Sequence, residues 1–239
     1  MVNKISGWLK NLSDHPVTTP KNAVQPGFHH YLREEDYGKT RIHLRNEADG
    51  SVLLLINAAR VLHLNASAGL MARLYLDGVP PENSIKQITQ KFKVDNQQAT
   101  HDYSEFCAKF SELISPDGGC PICDLELEII APFSKVPVAP YRMDLAITYR
   151  CNNDCSHCYN DRPRNYPELT TDEWIKVIDL LYQIGIPHTV FTGGEPTLRS
   201  DLPELIAHAE KKGLITGINT NGRRLMDPGY VDQLVRAGL

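Results

Sequence analysis

The chain has 239 residues, 41% hydrophobic and 23% charged, the composition of a globular protein with room for one or two domains. A formal net charge of −4 leaves no basic footprint, so nucleic acid is not an expected partner. The first residues lack a signal-peptide pattern and no apolar run approaches the ~20 residues of a membrane span, so neither export nor a membrane partner is expected.

Six cysteines, three of them clustered, fit a reducing cytoplasmic setting better than a disulfide framework. Residues 1–37 read as a leader segment, loosely ordered at least to residue 27, with Pro16, Pro20 and Pro26 interrupting regular structure and His29-His30 solvated at its edge. Strands are expected from Thr40 to Arg45, with Ile42 and Leu44 on one face, from Val52 to Ile56, and from Arg60 to Leu64; Ala48-Asp49-Gly50 supplies a hairpin turn. Asn65 can cap a helix carrying Leu70, Met71 and Leu74 and ended by Gly78. A second helix follows Pro80-Pro81 with Ile85, Ile88 and Phe92, and a third carries Tyr103, Phe106, Cys107, Phe110 and Ile114. Strands first and helices second define a small α+β domain over residues 38–114.

This domain resembles the pyrroloquinoline-quinone biosynthesis protein D-like family, the winged-helix recognition element of peptide-modifying systems. The resemblance rests on the strand pair around Val52–Leu64, on Leu62-His63-Leu64-Asn65-Ala66-Ser67-Ala68, and on Leu74 to Gly78. It implies that the leader of a precursor peptide adds as a strand beside Arg60–Leu64, against the third helix. An edge strand presents unpaired amides that an extended peptide completes. A dimerisation or docking module without a peptide ligand is the alternative.

Residues 115–139 read as a linker, opened by the turn-forming Ser115-Pro116-Asp117-Gly118-Gly119, with a strand expected from Leu125 to Ile130. Cys120 and Cys123 form a C-x₂-C pair, which is two ligands short of a zinc site. An auxiliary cluster, a zinc knuckle completed from elsewhere, or two reduced linker thiols are all consistent with it.

Residues 140–239 repeat a strand–loop–helix pattern. Strands are expected from Asp144 to Thr148, Thr189 to Thr192 and Leu214 to Asn219. Capping boxes are expected at Thr170–Glu173 and Asp201–Glu204, and Asp227-Pro228 opens a third helix. The alternation implies a parallel sheet, whose active site belongs at the C-terminal strand ends. After the first strand come Cys151, Cys155 and Cys158, spaced C-x₃-C-x₂-C; Gly193-Gly194-Glu195-Pro196 follows the second strand, and Asn219-Thr220-Asn221-Gly222 the third. Three thiolates on one loop are one short of the usual four ligands of a structural zinc or a [4Fe–4S] cube.

On those motifs the segment resembles the radical S-adenosylmethionine (SAM) enzymes. The resemblance implies that Cys151, Cys155 and Cys158 hold a [4Fe–4S] cluster whose fourth iron is chelated by SAM, and that an electron donor drives reductive cleavage of SAM to a 5′-deoxyadenosyl radical. It implies that Gly193, Gly194 and Glu195 lie against the SAM methionine and His157 near its adenine; a packed loop histidine is the other reading of His157. Thr220 and Asn221 line the same cavity or form a simple strand-to-helix turn. No catalytic side chain beyond these is assigned. The fold implied is α/β, the first three βα units of a partial (β/α)₆ barrel of parallel strands, preceded by the winged-helix domain, so the chain is expected to be a fragment of a longer enzyme. The substrate implied by the front domain is a ribosomally made peptide. A peptide-binding module, a zinc-stabilised structural protein, or a maturase acting on a small molecule or protein are the alternatives.

Overall fold

The computed structural model describes residues 27–35, 38–115, 136–160 and 167–239. The expected strand at Leu125–Ile130 and the Cys120–Cys123 pair lie outside the described residues.

Four strands, β1 (Phe28–Glu35), β2 (Gly38–Asn46), β3 (Val52–Ile56) and β4 (Arg60–Leu64), form an antiparallel sheet in that order. The turn after β2 closes with Gly50 at φ +83, a conformation that costs a glycine little. Helices α1 (Ala66–Leu76), α2 (Pro81–Phe92) and α3 (Asn96–Leu113) follow. Asn65 caps α1 by accepting from the Ala68 amide, and Asp95 caps α3 by accepting from Gln98. Ile42, Leu44, Leu54, Ile56 and Leu62 bury against Ala72, Phe110 and Leu113 of these helices.

β1 corrects the sequence reading, which placed residues 28–37 in the leader. It pairs with β2 along its whole length, from Phe28 opposite Arg45 to Glu35 opposite Gly38. Alternating side chains serve two different surfaces. Tyr31 packs with the helical core and donates to Asp77 at 2.7 Å, while Phe28 stacks on His43 at 5.5 Å and meets Tyr182 edge-on at 5.4 Å. The sequence reading left His29-His30 solvated; His29 is instead half-buried, and the exposed His30 sits over Tyr182 and His43.

The second half carries three parallel strands, β5 (Arg142–Thr148), β6 (His188–Gly193) and β7 (Ile215–Ile218), in the order β5-β6-β7. Between and after them run α4 (Thr171–Gln183), α5 (Leu202–Lys212) and α6 (Pro228–Ala237). Ile147 and Phe191 of the sheet pack with Ile178, Leu181, Leu202, Leu205 and Ile206 of the helices. The Thr170–Glu173 capping box forms in both directions. The expected box at Asp201–Glu204 does not: Asp201 makes no side-chain cap bond, because its carboxylate accepts from the Arg199 guanidinium at 2.8 and 2.6 Å and from the Thr171 hydroxyl at 2.7 Å. A bidentate, charge-assisted pair outcompetes a neutral amide donor.

The two halves meet through the face of β2 that does not touch its own helices. Arg41 pairs with Glu210 at 2.6 Å, His43 Nε2 lies 2.7 Å from the Gly213 carbonyl, and Arg45 donates to the carbonyls of Gly185 at 2.9 Å and Pro140 at 3.1 Å. Pro140, Gly185 and Gly213 all lie just before parallel strands. The antiparallel sheet therefore covers the N-terminal ends of β5–β7 and leaves the C-terminal ends, where the sequence motifs fall, to form the site.

Candidate functional site

The site is built from the chain leaving β5. The backbone of Thr148 to Arg150 is pinned from β6: the Gly194 amide donates to the Thr148 carbonyl at 2.7 Å and the Glu195 amide to the Arg150 carbonyl at 2.8 Å. This close approach requires the two glycines. Gly193 has φ +136, and a Cβ there would run into the Thr148 carbonyl; on Gly194 it would strike the Arg150 and Tyr149 carbonyl oxygens. The sequence reading attributed the pair to close approach of a ligand. What approaches here is the root of the cysteine loop itself.

From that root the loop carries Cys151, half-buried, and Cys155 and Cys158, both exposed; all three are thiols outside any disulfide. Turn geometry is visible in the Cys158 amide donating to the Cys155 carbonyl at 3.2 Å and the Asn153 amide donating to Cys151 Sγ at 3.4 Å. Among the described residues no three His, Cys, Asp or Glu side chains converge on a point that would hold a single metal ion. The structure puts the three thiols on one loop. His157 is exposed on the same loop. Tyr159, 80% exposed, and Asn160 tie the end of the loop back to β6, through the Thr192 hydroxyl at 3.3 Å and the Gly193 carbonyl respectively.

Glu195 is only 1% exposed. Its Oε1 accepts from the Thr197 hydroxyl at 2.6 Å, the Thr197 amide at 3.1 Å and the Thr220 hydroxyl at 2.6 Å; its Oε2 accepts from the Asn221 amide at 2.7 Å. Burial pushes this carboxyl up, but the hydrogen bonds from Thr197, Thr220 and Asn221 together outweigh it and hold it below the usual carboxylate range. Glu195, Thr220 and Asn221, which sequence reasoning placed around a cofactor, are thereby joined to one another, locking the end of β7 to the end of β6. Asn221 extends the chain of contacts by donating to the Asn152 side chain at 2.7 Å, and Arg223 reaches the Asn152 carbonyl at 3.4 Å. All three motifs accordingly form one connected frame.

Sequence reasoning missed the charged layer beneath this frame. Arg199, 7% exposed, donates to the carbonyls of Ile147 and Leu169, both at 3.1 Å. Glu168 accepts from the Thr148 hydroxyl and from Arg150. An arginine three residues beyond Gly-Gly-Glu-Pro was visible, but its partners lie 30 and 52 residues away in sequence.

Residues 145–239 match the family described as the radical SAM superfamily. The chain is 43% identical over 102 residues to a PqqA peptide cyclase of Bradyrhizobium diazoefficiens, covering 42% of this chain and 27% of that protein. It is 43% identical over 107 residues to an Fe-coproporphyrin III synthase of Methanosarcina barkeri, covering 44% of this chain and 26% of that one. Among solved structures it is similar to Streptococcus suis SuiB bound to its precursor peptide SuiA, with a TM-score of 0.52, 13% identity, and coverage of 87% of this chain and 46% of that one. SuiB bound to S-adenosylmethionine is similar at a TM-score of 0.50 and 17% identity, over 82% of this chain and 44% of the other. The chain spans about a quarter of the length of the curated relatives it matches, 27% and 26%. No helix among the described residues is long and apolar enough to cross a membrane.

Proposed function

We propose, from the premise that residues 145–239 are a radical SAM domain, that this chain is part of an enzyme that modifies a ribosomally made peptide. The observation that carries this reading is the frame at the C-terminal ends of β5–β7. It fixes the root of a three-thiol loop, while the buried carboxylate of Glu195 beside it is committed to hydrogen bonds from Thr197, Thr220 and Asn221. The donor set fits a [4Fe–4S] cluster with an open iron: three soft thiolates on one loop, with the nearby acid engaged elsewhere.

In this reading Cys151, Cys155 and Cys158 would hold a [4Fe–4S] cluster with one iron left for SAM. When bound, the pair supplies reductive cleavage of SAM to a 5′-deoxyadenosyl radical, with the electron coming from an external donor. The chain's own residues orient and exclude water. Gly193 and Gly194 bring β6 against the loop root, Thr220 and Asn221 line the opening from β7, and His157 stands at its rim. The parallel strands are the first three of a partial (β/α)₆ barrel.

Residues 38–114, extended forward by β1, are the recognition domain in this reading. They are winged-helix in type, with residues 115–139 linking them to the core at 140–239. Among the described residues β4 is an edge of its sheet, and its Val61 is exposed. An extended leader peptide would pair with Arg60–Leu64 there. The names of the relatives support a peptide substrate: PqqA for the cyclase, and SuiA, with which SuiB was crystallised.

The test is anaerobic reconstitution with iron and sulfide. Wild-type protein is expected to develop an iron–sulfur chromophore, and Cys151→Ala, Cys155→Ala and Cys158→Ala each to abolish it. Undiminished iron in those variants would overturn the assignment.

A further inference from the structure

The cysteine loop is held from β6 on one side, but its other side is held by a group that no motif contains. Glu168 lies in the segment entering α4 and is about four-fifths buried, with 21% of its side chain exposed. Its Oε1 accepts from the Thr148 hydroxyl, and the same hydroxyl accepts from the Arg150 amide at 3.1 Å. The Arg150 guanidinium reaches both Glu168 oxygens at 3.3 Å. From behind, Arg199 Nη1 lies 3.6 Å from Glu168 Oε2 while anchoring the Ile147 and Leu169 carbonyls.

The contacts to Ile147, Thr148 and Arg150 fall immediately before Cys151. We infer that Glu168 is a positioning residue for the cysteine loop: its carboxylate, fixed by Arg199, sets the direction in which Cys151 leaves β5. Local geometry alone does not require a carboxylate at this spot. The Thr148 and Arg150 carbonyls are already satisfied by Gly194 and Glu195, and the strand would end without help. What Glu168 adds is a tie between the side chains of Thr148 and Arg150, so that the residue before Cys151 is held by backbone from the end of β6 and by a side chain from the segment entering α4. Outer-sphere groups that orient metal ligands act in this way, and their loss lowers metal affinity about 10- to 100-fold. This inference rests on the cluster assignment made above only for its iron readout.

The experiment uses the whole chain and two variants, Glu168→Ala and Glu168→Gln. Gln keeps the volume and can accept from Thr148, but loses the ion pairs with Arg150 and Arg199. In iron-free protein, iodoacetamide alkylation is followed by mass spectrometry at Cys151 and at Cys107, which lies in α3 of the other half. The expected result is several-fold faster alkylation of Cys151 in Glu168→Ala, a smaller rise in Glu168→Gln, and an unchanged rate at Cys107. After reconstitution the iron affinity of Glu168→Ala is expected to fall about 10-fold or more.

Equal Cys151 rates in wild type and both variants would overturn the inference. So would a rise at Cys107 in step with Cys151 in both variants, which marks general destabilisation. Wild-type protein that takes up no iron would instead overturn the cluster reading, and the alkylation rates would still decide the role of Glu168.

Discussion

The two ends of the parallel sheet are closed by different means. At the N-terminal ends, side chains of the first half reach the second: Arg45 the carbonyls of Gly185 and Pro140, His43 the carbonyl of Gly213, and Arg41 the carboxylate of Glu210. At the C-terminal ends the chain packs against its own backbone, Gly193 and Gly194 against Thr148 to Arg150, beneath a loop on which Cys155 and Cys158 are exposed. A side-chain interface can adjust by rotamer changes, whereas backbone packed on backbone cannot. The end that carries the three thiols is the end built without slack.

Alanine at the glycines of each end separates the two directly. Gly193→Ala would place a Cβ against the Thr148 carbonyl at φ +136, and is expected to cost about 3 kcal/mol in urea denaturation and to abolish iron uptake. Gly213→Ala, at φ +87, would meet first the ring of the exposed His30, a side chain with room to move, rather than backbone. It is expected to cost about 1 kcal/mol, the strain of a left-handed alanine, with iron uptake intact. Equal costs would break the distinction.

Glu195→Gln tests the frame with no change of size. It would turn one acceptor oxygen into a donor amide among the Thr197, Thr220 and Asn221 donors, leaving at least one buried group unpaired. The expected cost is about 2 kcal/mol by urea denaturation.

Acid should loosen the ends in sequence. His43 is 1% exposed; its Nε2 must donate to the Gly213 carbonyl, and its Nδ1 has no partner among the described residues. Burial, reinforced by His30, Arg41 and His188, lowers its pKa from 6.5 to about 4. The unfolded chain therefore binds the extra proton first. Stability present above pH 6.5 is lost as pH falls towards 4, by roughly 3 kcal/mol in total. Glu195, held below its ordinary 4.5, contributes stability that is lost only below that value. Denaturation at pH 7, 5.5 and 4.5 should show the loss, and His43→Gln should flatten it. A slope unchanged by that substitution would remove His43 as its source.

Much of this was legible in sequence because it is local. The caps at Asn65, Thr170 and Asp227 form within four residues, and the βα periodicity placed all three motifs at strand ends. What escaped is non-local. β1 reads as a leader because the partner that covers Phe28 and His30, Tyr182, arrives some 150 residues later. Arg41, His43 and Arg45 look like the wet face of a strand, yet the second half buries them. Asp201 reads as a cap and is taken by Arg199; the Gly-Gly pair reads as a ligand cradle and first of all accommodates its own chain.

The proposed function turns on a cluster bound by three thiolates with one iron left for SAM. Electron paramagnetic resonance of the reduced, reconstituted protein, recorded with and without SAM, tests it most directly. A line shape that changes on adding SAM, and changes further with SAM carrying a ¹⁵N-labelled amino group, is the result predicted. A spectrum indifferent to SAM would mean that the fourth iron is already occupied, and would contradict the account.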